Sequence, residues 1–212
     1  MKIFNNIKVI WLFVQSDYAR YGRKPTILNI LKDVMFGWNH SFTYCFWLRF
    51  ASKSNLFLPI ASYKHRKLSR RYGIQIYPST KIGYGLCLGH GISIIVNPTT
   101  TIGNNCNLCH YITIGSNHGK AAKIGDNVYI GPNTTIVEDV KINNQVTIGA
   151  GSVVIDDIPR NTTVAGNPAK PISTKAPGRY VQNRFEEYIQ LPQDAPQYLN
   201  NSDISYIDIF IY

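Results

Sequence analysis

His90, His110 and His118 fall in one stretch of the chain, with Cys106 and Cys109 between them. Imidazole changes charge near neutral pH, so a histidine can relay a proton or ligate a metal, and a thiol pair adds redox or zinc chemistry. Three histidines from adjacent turns of a chain can hold zinc tetrahedrally with one position open. Cys106-x-x-Cys109 has no second pair to complete a thiolate site, and the other cysteines, Cys45 and Cys87, are irregularly placed. No metal is expected, and the sparse thiols suit a reducing compartment.

A six-residue beat positions these side chains. Ile76, Ile82 and Leu88 begin it; after a two-residue interruption come Val96, Ile102, Leu108 and Ile114. After an insertion follow Ile124, Ile130, Ile136, Ile142, Ile148 and Val154. So short a period is no helical repeat and fits a hexapeptide β-helix, whose coils stack about 4.8 Å apart. If three hexapeptides make a triangular coil, Leu88, Leu108, Ile130 and Ile148 lie one above another once the interruption and insertion are counted. One edge then reads His90, His110, Pro132, Ala150, and the insertion 115–123, with His118, is expected close by. Cys106 takes an inward position of the repeat and Cys109 a turn.

The beat divides the chain into a helical region 1–72, a repeat domain 73–172 and an extended tail 173–212. Val9, Leu12, Phe13, Ile27, Leu31, Val34 and Met35 recur at helical spacing, and the aromatic run 42–50 suits core or oligomer packing. The tail ends in an alternating segment, 206–212, that reads as a short strand. No run of 18 apolar residues is present and no secretory signal is expected. The net charge of +10 is unevenly distributed: residues 1–72 hold 13 Lys/Arg against two Asp/Glu. That concentration suggests contact with an anionic surface, such as a membrane, and no nucleic-acid motif accompanies it.

The segment Lys81-Ile82-Gly83-Tyr84-Gly85-Leu86-Cys87-Leu88-Gly89-His90-Gly91 resembles the active-site stretch of hexapeptide-repeat acyltransferases. The resemblance is to their serine acetyltransferase branch and its capsule-polysaccharide relatives. Gly149-Ala150-Gly151-Ser152-Val153-Val154 and Ala165-Gly166-Asn167-Pro168-Ala169-Lys170 are similar to the superfamily's cofactor-end motifs. The resemblance implies a mainly β fold, a left-handed parallel β-helix, with helices before it. It also implies a homotrimer, acetyl-CoA as donor and active sites between adjacent subunits. By it His90 is the general base, with no acyl-enzyme, and a backbone N–H near Gly115-Ser116 meets the oxyanion. Gln75 takes the place of the family's acidic partner of the histidine. Gly89, His110, His118 and Lys120 fall to the acceptor, and Gly115, Gly131, Pro132, Gly149, Ala150, Pro168 and Lys170 to acetyl-CoA.

Departures from the pattern bear on the acceptor. Gln75 stands where the family has an acid fifteen residues before the histidine, Gly89 where it has one directly before, and the 115–123 loop is four residues shorter. A zwitterionic amino acid needs opposite charges on its two groups. The expectation is therefore O-acetylation of a sugar hydroxyl in a capsular or other surface polysaccharide or its precursor. The enzyme would be cytoplasmic and peripheral at the inner membrane face. The alternatives are a serine O-acetyltransferase, a zinc enzyme of the β-helical carbonic anhydrase type using His90, His110 and His118, and an inactive scaffold. Against the zinc enzyme, that family usually pairs ligands five residues apart, whereas His110 and His118 are eight apart.

Overall fold

Four helices precede the repeat: α1 (Lys2–Ala19), α2 (Ile27–Phe36), α3 (His40–Ala51) and α4 (Leu58–Tyr72). The computed structural model describes residues 2–188, so the strand expected at 206–212 lies outside the described residues. Local chemistry sets the helix ends. Thr26 and Asn39 accept the N–H groups of Asn29 and Phe42 at the starts of α2 and α3, and left-handed Gly37 and Gly73 end α2 and α4. The aromatic run of α3 is core: Phe42, Tyr44, Phe46 and Phe50 are buried. In α2 the outcome is reversed. Ile27, Leu31 and Met35 face outward, while Ile30 and Asp33 point in and Asp33 pairs with Arg23.

Three strands form each coil that follows. The first coil is β1 (Gln75–Ile76), β2 (Lys81–Ile82) and β3 (Cys87–Leu88); the second is β4 (Ile95–Val96), β5 (Thr101–Ile102) and β6 (Asn107–Leu108). The third is β7 (Thr113–Gly115), β8 (Lys123–Ile124) and β9 (Tyr129–Ile130), and the fourth β10 (Thr135–Val137), β11 (Lys141–Ile142) and β12 (Thr147–Ile148). Then come β13 (Val153–Val154), β14 (Thr163–Ala165), an antiparallel β15 (Lys170–Ser173) and a short α5 (Phe185–Tyr188). Like strands stack in parallel into three faces: β1-β4-β7-β10-β13, β2-β5-β8-β11, and β3-β6-β9-β12-β14. This is the left-handed parallel β-helix that the family resemblance implied, built on the coils laid out by the six-residue beat.

The aliphatic residue of each hexapeptide points inward. Leu88, Leu108, Ile130 and Ile148 stack in register on the third face and are fully buried, each burial stabilising by about 1.5–3 kcal/mol. Polar side chains tie the turns together. Asn104, Asp126 and Asn144 each accept the backbone N–H of the coil below, at Tyr84, Asn104 and Asp126.

The first coil has no coil beneath it, and its backbone groups would otherwise be unpaired. The helices supply the partners. Arg49 donates to the carbonyls of Ile82 and Gly83 and holds buried Asp17 through two bonds of 2.8 and 2.9 Å. Asp17 accepts Leu86 N–H, Ser16 accepts Gly85 N–H, and the Tyr21 hydroxyl accepts Leu88 N–H. Arg20 donates to Gly85 O and Asn107 Oδ1, and also to Gln182 O of the returning tail. Phe185 of that tail is buried beside Tyr84, and Glu186 accepts from Tyr84 and Asn105.

Arg49→Met leaves Asp17 as an unpaired buried charge and two carbonyls without donors. The expected loss is about 3–5 kcal/mol in urea unfolding, with part recovered in Asp17→Asn/Arg49→Met. A loss under about 1 kcal/mol in the single variant would refute this role of the pair.

Candidate active site

His90 and His110 follow β3 and β6, one coil apart, at the edge where the third face turns into the first. Their rings meet edge to face, with centroids 5.4 Å apart at 81°. His110 in turn lies edge-on to Tyr111 at 5.2 Å. His90 is exposed, whereas His110 Nδ1 is buried without a hydrogen-bond partner among the described residues.

The two-residue interruption shapes this corner. On later coils one residue per turn adopts the left-handed conformation here: Tyr111 (φ 57°), Asn133 (φ 58°) and Gly151 (φ 69°). The register β4 to β7 makes Ser93 (φ 51°) their counterpart on the first corner. His90, at φ 58°, is an additional left-handed residue created by the longer turn. Such a conformation costs a side-chain-bearing residue about 1 kcal/mol. α3 presses on this bulge: a Cβ at Gly91 would come 2.7 Å from Ser41 Oγ and 3.2 Å from Ser41 Cα.

Gln75 lies on β1, exposed, with its backbone paired to the strand that follows the histidine corner. No hydrogen bond joins its side chain to His90 among the described residues. The neighbouring His110 ring, rather than Gln75, is what His90 packs against. A Cβ at Gly89 would stand 3.2 Å from Cys109 Sγ, a tight approach that the thiol would have to give way to. Cys109 donates to the Tyr129 hydroxyl, and burial pushes the inward Cys106 thiol up to about 12, so Cys106-x-x-Cys109 is packing, not a redox pair.

Further along this edge the side chains shrink. Pro132 and Ala150 continue the row, with Gly131 and Gly149 beside them; a Cβ on Gly131 would strike Ala150 N at 2.8 Å. The turn holding Pro168 closes the top, where Val153 N–H donates to Gly166 O and Ala169 N–H to Val153 O. Lys170 is exposed near Asp156. Between the histidine pair and the 165–170 turn, the row positions of this edge therefore carry only short side chains.

The loop expected beside the histidines lies elsewhere within one chain. Gly115 ends β7 and Ser116, His118 and Lys120 follow it, where the first face turns into the second, so the width of the first face separates them from His90. The topology is the reason: His90 and His110 precede a first-face strand, and the loop follows one. His90, His110 and His118 therefore do not form a zinc triplet in one chain. Glu138, which the sequence reading missed, anchors this loop, accepting Ser116 Oγ at 2.7 Å and the N–H groups of Asn117 and His118. Register was the available signal, because β7 pairs with β10 at Gly115 and Val137, which puts Glu138 opposite Ser116. Thr99 closes the loop's far end by accepting Ala121 N–H. Ser116 N–H donates no hydrogen bond among the described residues.

The Ser116 hydroxyl, and after it the Asn117 N–H, hold the Glu138 carboxyl below its ordinary value. A depressed carboxylate contributes order above the ordinary value of about 4.3 and loses it as pH falls through the lower folded value. Glu138→Gln should lower amide-exchange protection at Asn117 and His118 at neutral pH, and wild type should converge on the variant in acid. Equal protection at every pH would remove Glu138 as the anchor.

The family model described as bacterial transferase hexapeptide (six repeats) matches residues 121–156. Serine acetyltransferase 5 of Arabidopsis thaliana is 43% identical over 122 residues, 55% of this chain and 39% of the relative. The crystal structure of Neisseria gonorrhoeae serine acetyltransferase in complex with serine superposes with a TM-score of 0.64 and 31% identity, covering 77% of this chain and 69% of that one. Serine acetyltransferase from Brucella abortus in complex with coenzyme A gives a TM-score of 0.59 and 26% identity, covering 76% and 66%. The chain spans well under half the length of the plant relative. The coil register and these matches together place the chain in the hexapeptide-repeat acyltransferase superfamily, among relatives that are serine acetyltransferases.

Proposed function

We propose that the protein is an acetyl-CoA-dependent O-acetyltransferase with His90 as general base, acting on serine as its relatives do. The observation that carries the chemistry is the left-handed, exposed His90 held edge-on by His110 at the head of an edge of short side chains. Neutral His90 takes the proton of an acceptor hydroxyl as its oxygen bonds to the thioester carbonyl carbon. As the carbon–sulfur bond breaks, the same imidazolium returns the proton to the departing thiolate. The unbonded Ser116 N–H is suited to the developing oxyanion, while the Ser116 hydroxyl is occupied by Glu138.

His90 and Ser116 stand on different edges of one chain, so a complete site needs the loop edge of a neighbouring copy. A homotrimer that sets the β-helices side by side supplies it. The edge past Gly131, Pro132, Gly149 and Ala150 suits an extended pantetheine arm, since none of these residues carries a long side chain. Pro168 and Lys170 mark its far end. The coenzyme A bound to the Brucella abortus relative supports this co-substrate.

A second reading, a sugar hydroxyl as acceptor, rests on Gly89 standing where the family's pattern has the acid that meets an amino group, and on Gln75 standing where it has the acid that partners the histidine. The comparisons lend no support to a capsular role and favour serine. Thiol release from acetyl-CoA with L-serine, run beside a panel of purified glycans, separates the two. Turnover with serine is expected, and turnover confined to glycans would transfer the assignment to the second reading.

His90→Gly should lower acetyl transfer by about 10²–10⁴-fold. It should leave stability unchanged or raise it by about 0.5–1 kcal/mol, because glycine relieves the left-handed backbone. Retained activity would disprove the role of His90 whichever acceptor is right.

A further inference from the structure

The outward side of α2 carries Ile27, Leu28, Leu31 and Met35, which are 50, 63, 48 and 72% exposed. Their spacing puts them on one side of the helix. Trp38, 70% exposed, extends this side past the Gly37 cap and stacks on Phe36 at 5.4 Å. Single exposed apolar residues are ordinary, but a contiguous strip of five with an indole at its end marks an interaction surface.

Charge identifies what the strip meets. Region 1–72 has 13 Lys/Arg and two Asp/Glu, and both acids, Asp17 and Asp33, are buried against Arg49 and Arg23. No acidic side chain of this region faces solvent, whereas Lys24, Lys32, Lys64, Lys67, Arg70 and Arg71 do. Between α2 and α4 opens a cleft of about 320 Å³ lined by His40, Trp47, Lys64, Lys67 and Arg71 among others. His40 Nε2 is buried there without a hydrogen-bond partner among the described residues, its ring packed on Tyr72 at 4.7 Å.

A second copy is a poor occupant, because a two-fold contact would bring these uncompensated cations together. An anionic bilayer offers both an apolar layer for the strip and phosphates for the cations. No described helix is long and apolar enough to cross a membrane.

We propose that α2 and Trp38 lie in the headgroup layer of an anionic membrane, and that the cleft beneath them receives a phospholipid headgroup phosphate. This surface does not depend on which acceptor the enzyme uses. Ser41, the residue after His40, touches Gly91 beside the catalytic corner, so a membrane-bound trimer would hold that edge close to the lipid surface.

The test is flotation of the full chain with phosphatidylcholine vesicles, with and without phosphatidylglycerol. Two variants accompany wild type: Leu31→Ser/Met35→Ser/Trp38→Ser, and Lys64→Gln/Lys67→Gln/Arg71→Gln. All six side chains are exposed, and unchanged urea unfolding of the variants serves as the folding control. Wild type should float only with phosphatidylglycerol present, and each variant should partition at least about tenfold less. Equal flotation with both vesicle types, none with either, or wild-type flotation by the charge-neutral variant would overturn the proposal. So would a fall in particle mass in the apolar variant, which would assign the face to copies of this chain. Displacement by inorganic phosphate but not by chloride at matched ionic strength would likewise reassign the cleft to free phosphate.

Discussion

A parallel β-helix has an open end, and in this protein everything upstream of the repeat is organised by the need to close it. Each coil pairs its backbone with the coils above and below, so the first coil would leave a ring of unpaired carbonyls and N–H groups. α1, the turn after it and α3 answer with Ser16, Asp17, Arg20, Tyr21, Tyr44 and Arg49, whose polar atoms reach into that ring. Buried charges are tolerated because each has several partners. The same docking brings Ser41 against Gly91 and so presses α3 on the corner that holds His90. Stability of the solenoid and geometry of the candidate site therefore share one interface.

The irregularities of the repeat explain the site better than its regular part does. Two extra residues before Val96 give the first corner a second left-handed position, and His90 occupies it. A side chain so placed projects from the edge instead of lying along it. The neighbouring coil, with a plain turn, keeps His110 half-buried and edge-on to His90. The longer insertion after β7 leaves the coil at a different edge, where Glu138 and Thr99 tie it at both ends. Two separate departures from the beat thus equip two separate edges, which suits a site shared between copies.

The coil register was legible from residue types alone, since inward aliphatics every sixth position fit only one stacking once the interruption and insertion are counted. Leu88 over Leu108, and Ile130 over Ile148, follow from that count and appear in the strand pairing. The loop was misplaced because counting residues fixes stacking along the axis, and the side of the triangle was not carried through for residues 115–123. Glu138 went unnoticed for a related reason: its partners are backbone N–H groups and a hydroxyl, which leave no pattern in a sequence.

Periodicity by itself determined the β-helix, the stacking of the two histidines and the absence of carboxylates at positions 75 and 89, because those depend only on residue identity and spacing. Tertiary structure alone decided which apolar residues were core. The spacing of Ile27, Leu31 and Met35 is that of an ordinary buried helix face, yet Ile30 and the paired Asp33 point inward instead. A helix with two usable faces takes its orientation from the surface it docks on, here the aromatic side of α3. That choice exposes an apolar strip on α2 beside a field of unpaired cations.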